Sequence, residues 1–196
     1  MKTNSLPIFP LGIVALPGTI HSLQIFEPRY INMIKSCMQD NYGFVIAFQR
    51  KYSNKDDYEI AKKGSYVEII DFNNLPNGLL GITVKSINKV LIKDLTKMED
   101  GLHIAKTQAV VDPEVDDQAL LAEFQEISNI LSKLIKHPGI IDLPLNIDFN
   151  SADSVAYHLA GLIPIPDSHK QNLLEAFDAS QRLTILSKYI KDLSSN

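Results

Sequence analysis

Few side chains in this sequence are of the types that do covalent chemistry, and their spacing limits what they can do. There are five histidines, His21, His103, His137, His158 and His169, and one cysteine, Cys37. A metal clip needs ligands paired at short spacing, such as Cys-x-x-Cys or two histidines one helical turn apart. No His-x-x-x-His pair occurs, and a lone cysteine makes no clip. Cys37 shares a helical apolar stripe with Met33 and Met38, where a free cysteine behaves as a small hydrophobe and not as a nucleophile. No Gly-x-Ser-x-Gly elbow is present; serines and lysines are both available for a dyad, but nothing singles one out. A phosphate-cradling loop ends in Gly-Lys-Ser/Thr. None of the 9 glycines precedes a lysine, and none falls in the dinucleotide-binding spacing. The residues predict no catalytic group, no metal and no cofactor.

Two charged constellations remain. Glu27 and Arg29 flank Pro28 at a strand-to-helix junction. They read either as a charged binding pair or as a helix-start device, with Glu27 on the positive end of the helix dipole and Arg29 tying down a neighbouring strand end. The second reading explains both without a ligand. The basic run Arg50, Lys51, Lys55, Lys62 and Lys63 is interleaved with Asp56, Asp57 and Glu59. A phosphate track needs one sign of charge, so this is read as a solvated loop or hairpin.

The elements that must position these residues change character along the chain. The first half reads as short strands: "LPIFPL", "IVAL", "HSLQIF", "GFVIAFQ", "GSYVEIIDF", "LLGITVKSINKVLIKDL" and "LHIAKTQAVV". Turn clusters such as "NNLPNG" and "MEDG" separate several of them, at the spacing of a sandwich or small barrel. One helix interrupts the strands. Pro28 suits its first position, Tyr30, Met33, Ile34, Cys37 and Met38 form its stripe, and it ends near Asn41–Gly43. After "VVDPEVDD" the period becomes helical. Leu120, Phe124, Ile127, Leu131 and Leu134 mark a long helix that begins at Asp116 and Asp117. Ser151 is placed to cap a second helix, Asp167 a third, and Asp178 with Gln181 has capping-box spacing before a fourth. The expected fold class is α+β: a β-rich unit with one inserted helix over residues 1–115 and a four-helix bundle over residues 116–196.

Bulk properties fit that division. The 196 residues suit one large domain or two small ones. Residues 1–115 carry 13 Lys and Arg against 12 Asp and Glu, whereas residues 116–196 carry 6 against 11. The net charge of −4 disfavours a dedicated nucleic-acid binder. No apolar run reaches the roughly 18 residues of a membrane span. The early prolines break any leader-like stretch, and one cysteine suits a reducing cytoplasm.

The stretch "LPIFPLGIVALPGTIHSLQIFEPRYINMI" resembles the start of the Lon protease N-terminal, or substrate-binding, domain family. The order is Leu-Pro-Ile-Phe-Pro-Leu, a Pro-Gly turn, an apolar strand, then Phe-Glu-Pro-Arg-Tyr leading into a helix. That last form is closer to the free-standing bacterial members. "LAGLIPIPDSHKQNLLEAFDASQRLTIL" resembles the family's C-terminal stretch, with Lys170, Gln171, Leu173, Leu174, Asp178, Arg182 and Leu183 at the matching positions. The resemblance implies a PUA-like pseudo-barrel of short strands with an inserted helix, followed by a helical bundle. It also implies recognition of substrate polypeptides without the ATPase and Ser–Lys protease of full-length Lon, since the chain ends at Asn196, before either would begin.

The expected function is therefore a non-catalytic module that binds unfolded or extended protein segments, with an ATP-dependent protease or chaperone as the machine it would serve. An open strand edge or an exposed apolar groove would suit that role. Glu27, Arg29, Leu162, Ile163 and Ile165 are the candidate binding residues, and a groove is expected near residues 110–120 and the "LIPIP" bend. Two other classes stand beside it: an RNA-associated PUA-like module, and a small peptidase with an unrecognised site.

Overall fold

The structure is a computed structural model that describes residues 4–51 and 58–194. Lys55, Asp56 and Asp57 of the mixed-sign run lie outside the described residues. The chain divides into two compact units, Met1–Val110 and Val111–Asn196.

The first unit holds β1 (Asn4–Leu11), β2 (Ile20–Ile25), α1 (Pro28–Gln39), β3 (Phe44–Lys51), β4 (Tyr58–Ile60), β5 (Lys63–Asn74), β6 (Leu80–Lys97) and β7 (His103–Ala109). The strands run in the order β1-β7-β6-β5-β3-β4, and a parallel pairing of β1 with β3 closes five of them into a ring. The other ring pairings are antiparallel. The 18-residue β6 is long enough to serve two neighbourhoods. Its first part pairs with β2 through Leu80–Lys85 and its later part with β7. β3 and β4 form a hairpin in which Arg50 faces Glu59.

Alternation along the strands feeds two apolar clusters. Phe9, Phe44 and Ile46 join Ile25, Val67, Ile82 and Val84 in one, and α1 adds Tyr30, Met33, Ile34 and Cys37 to it. Their chain neighbours Ile8, Val45 and Ala47 join Val90, Ile92 and Ala105 in the other. Residues one step apart on a strand point to opposite faces, which is why the sequence alternates here between two buried sets. The stretch expected as a strand at "IVAL" is not one: Val14, Ala15 and Leu16 are buried in an irregular segment. Apolar residues satisfy a burial requirement equally well in a coil, so the short run did not discriminate.

The second unit holds α2 (Asp117–Glu123), α3 (Gln125–Leu134), α4 (Ala152–Leu162), α5 (Asp167–Glu175) and α6 (Ala179–Ser194). The first expected helix is divided at Phe124, whose φ of −102° and ψ of 35° leave the helical region. The apolar stripe continues across the break through Ile127 and Leu131, so periodicity alone does not reveal it. Asp116 caps α2, its Oδ1 accepting from the Ala119 N–H at 3.0 Å. Ser151 caps α4 by accepting from the Ser154 N–H at 3.3 Å. At α6 the Gln181 N–H donates to Asp178 Oδ1 at 2.8 Å, and Gln181 Oε1 accepts at 2.6 Å from the Phe177 N–H, one residue before the N–H a capping box would reach. Asp167 does not cap α5. Pro166 holds that position, and Asp167 is the acidic residue of the first turn, where it still complements the dipole.

Arg182 ties this unit together. Its side chain is 0% exposed, and its guanidinium lies 4.4 Å from the centre of the Tyr157 ring. Nε donates to the Leu173 carbonyl at 3.0 Å, Nη2 to Asp112 at 2.8 Å and Nη1 to Asp153. Residues from the unit's first segment, α4, α5 and α6 thus meet at one planar cation, a task suited to the fixed fork of arginine.

Candidate functional site

Glu27 and Arg29 lie together at the start of α1. Glu27 is the N-cap residue with an extended backbone, but its side chain caps no N–H. Its Oε2 instead meets Arg29 Nη2 at 2.6 Å. Burial of Tyr30, Met33 and Ile34, at roughly 1.5–3 kcal/mol for each large apolar side chain, outweighs the roughly 1 kcal/mol a side-chain cap would add. Arg29 Nη1 donates to the Gly101 carbonyl at 2.8 Å, in the turn between β6 and β7, and its guanidinium lies 4.7 Å from the Tyr30 ring centre. His103, at the start of β7, is buried. That burial, with Lys97 and Arg29 nearby, lowers its pKa and favours the neutral ring.

Leu162, Ile163 and Ile165 lie at the bend from α4 to α5. Leu162 ends α4 and is half-buried, as is Ile163, while Ile165 is buried. The Ile163 N–H donates to the Leu159 carbonyl at 3.1 Å, and the Tyr189 hydroxyl donates to the Pro164 carbonyl at 2.9 Å, which holds the bend. The structure groups these three with each other; Glu27 and Arg29 belong to the other unit.

The remaining groups with chemical potential are engaged in structure. Burial pushes the Cys37 thiol up to about 11, well above the range of a reactive thiolate. His158 Nδ1 lies 2.8 Å from the Ser154 carbonyl one turn back in α4, and Ser154 Oγ accepts from the Asp148 N–H at 2.9 Å. This contact joins the connector to α4. Among the described residues, no three His, Cys, Asp or Glu side chains converge as a metal centre would require.

One open groove of about 440 Å³ lies in the first unit. The end of α1 supplies one wall with Cys37, Met38, Asn41 and Tyr42, and β5 supplies the other from Tyr66 to Phe72. Asn41, at φ 53°, turns the chain out of α1 toward β3. Gly43 follows because no side chain fits there: a Cβ would sit 2.0 Å from the Val67 carbonyl oxygen. Its N–H donates to the Tyr66 hydroxyl at 2.9 Å, which fixes that ring in the groove wall. Ile70 and Phe72 are 50% and 57% exposed at the mouth, beside the carboxylates of Glu68 and Asp71. The sequence indicated a strand at "GSYVEIIDF" but no role for these residues. The available signal was a β-branched and an aromatic residue among the acidic and polar residues of a strand's solvent side.

The sequence model of the "ATP-dependent protease La (LON) substrate-binding domain" matches residues 5–192, nearly the whole chain. The chain belongs to the Lon substrate-binding domain family. Its curated relatives include the Lon proteases of Heliobacterium modesticaldum, 24% identical over 95% of this chain, and of Halothermothrix orenii, 26% identical over 92%. The chain spans about a quarter of the length of these relatives, 24% in both cases. Among solved structures it is similar to a Lon N-terminal domain protein from Xanthomonas campestris. That similarity has a TM-score of 0.77 and 25% identity, covering 95% of this chain and 98% of the other. The N-terminal domain of the Lon protease of Mycobacterium avium complex shares the fold, with a TM-score of 0.72 at 16% identity over 96% and 99% of the two chains. The α+β arrangement expected for a Lon substrate-binding domain is the one found. No described helix is long and apolar enough to cross a membrane.

Proposed function

We propose that this Lon-type domain is a non-catalytic module that holds extended or unfolded protein segments, acting in a reducing cytoplasm as an adaptor for an ATP-dependent protease or chaperone. The match to a substrate-binding domain over residues 5–192 carries the reading. The burial of Cys37, which pushes its thiol up to about 11, and the contact of His158 Nδ1 with the Ser154 carbonyl support it. The carboxylates of Glu68 and Asp71 at the open groove speak against RNA, whose phosphates they would repel. The test is capture: immobilised protein is offered one substrate protein in native form and in reduced, carboxymethylated form, and is assayed in parallel for cleavage of a fluorogenic peptide. Selective retention of the unfolded form without cleavage is expected. Equal retention of both forms, or cleavage by rigorously purified protein, overturns the reading.

A further inference from the structure

We propose that the open edge of β5 from Glu68 to Asn74 receives an extended polypeptide segment in which apolar and basic side chains alternate, laid into the groove beside the end of α1. The inference rests on the binding-module reading and assigns that function a place and a substrate class.

The edge comes from how far the neighbours of β5 reach. β5 pairs with β6 from Lys63 to Asn74, but with β3 only through Ser65, Tyr66 and Val67. Beyond Val67 it has β6 on one side and, among the described residues, no strand on the other. Backbone groups alternate in direction along a strand, so half of those from Glu68 to Asn74 face the open side. Such an edge is a template for an incoming strand, and proteins that must stay unpaired block it most often with lysine or proline, besides other charges and bulges. Residues 68–74 contain neither. A register shift lies between Ile69 and Asp71, the kind of bulge that re-aims side chains beside a site. Around it, Ile70 and Phe72 stand exposed where an incoming segment's side chains would lie.

The sign of charge selects the segment. Glu68 and Asp71 are the charged residues that line the groove. The last turn of α1 has no basic residue, so the negative end of its dipole is not offset there. No lysine or arginine lines the groove, although Lys85 stands opposite Glu68 on β6, which leaves Asp71 as the carboxylate without a cross-strand cation. Main-chain pairing would provide sequence-tolerant affinity, Ile70, Phe72 and Met38 the apolar contact, and the carboxylates a preference for lysine and arginine.

The full chain is titrated by fluorescence anisotropy with three labelled peptides about eight residues long, a typical strand length. One alternates valine and lysine, one alternates valine and glutamate, and one is the valine–lysine peptide methylated on alternate backbone nitrogens. The lysine peptide is expected to bind about tenfold more tightly than the glutamate peptide, and methylation to remove most of that affinity. Glu68→Gln with Asp71→Lys is expected to erase the charge preference. Ile70→Ser with Phe72→Ser is expected to weaken the lysine peptide about tenfold, while circular dichroism and the melting temperature show the exposed positions leave the fold intact. Equal binding of all three peptides, or unchanged binding by both double variants, overturns the proposal. Carboxymethylated protein separates the two levels. If wild type and the Ile70→Ser, Phe72→Ser variant capture it equally, the module reading stands and this site falls. If wild type captures none, both fall.

Discussion

Arg182 shows how much one side chain can carry in this protein. Four partners converge on it, from Asp112 to Leu173, and losing any of the three that accept its hydrogen bonds leaves a buried N–H unpaired. Replacing it by methionine leaves the carboxylate of Asp112 with its cation removed, so a loss of about 3–5 kcal/mol is expected in a urea unfolding curve. Lysine cannot span the same partners and is expected to recover only part of that. Asp153→Asn should cost far less, about 1 kcal/mol, because that carboxylate is 38% exposed. Cys37 is the second residue with a measurable signature. Burial raises its thiol from 9.0 to about 11. Below the lower value both folded and unfolded chains keep the proton. As pH climbs between the two values, the unfolded chain releases it first, so this contribution to stability is lost toward alkaline pH. Urea midpoints compared at about pH 8 and about pH 10 should fall more for wild type than for Cys37→Ala. Ellman's reagent should react with Cys37 slowly in the native protein and rapidly in denaturant.

Element ends were the most legible features of the sequence. Ser151, Asp116 and Asp178 all cap as their positions suggested, because capping depends on residues three apart and little else, while Gln181 reaches back to Phe177 in place of Asp178. Asp178→Ala should therefore destabilise α6 by about 1 kcal/mol in thermal unfolding. Where a reading failed, a local rule met a competing one. Proline at 166 took the cap position from Asp167, and Phe124 leaves the helix without disturbing the stripe. The β6–β7 turn is the clearest test of backbone geometry. Gly101 has φ 85°, and an added Cβ would come within 2.8 Å of Arg29 Nη1, the group that bonds its carbonyl. Gly101→Ala is expected to cost at least about 1 kcal/mol and to loosen the Arg29 anchor, seen as faster hydrogen exchange at the start of α1.

At the scale of the whole molecule, sequence pattern indicated the α+β class and the change from strands to helices, but not the closure of the ring. Ile8 pairs with His103 on one side and Val45 on the other, and no local periodicity reports partners so distant. The groove was hidden for the same reason. Whether Ile70 and Phe72 line an edge depends on where β3 stops pairing, which β5 alone does not encode. The two compact units make a prediction about fragments. All contacts of Arg182 named above lie within residues 111–196, so that fragment should unfold cooperatively by circular dichroism. A fragment starting at residue 116 lacks Asp112 and should be weaker by about 2 kcal/mol. Ring closure also has a consequence for biosynthesis. β1 leaves the ribosome well before β7, the last strand of its unit, and cannot complete its pairings until β7 has been made. At about 5–20 residues per second, the roughly 100 residues from β1 to β7 keep Ile8 without its β7 partner for about 5–20 seconds of translation. A protein proposed to shelter loose segments of others thus carries, during its own synthesis, an apolar strand in need of shelter.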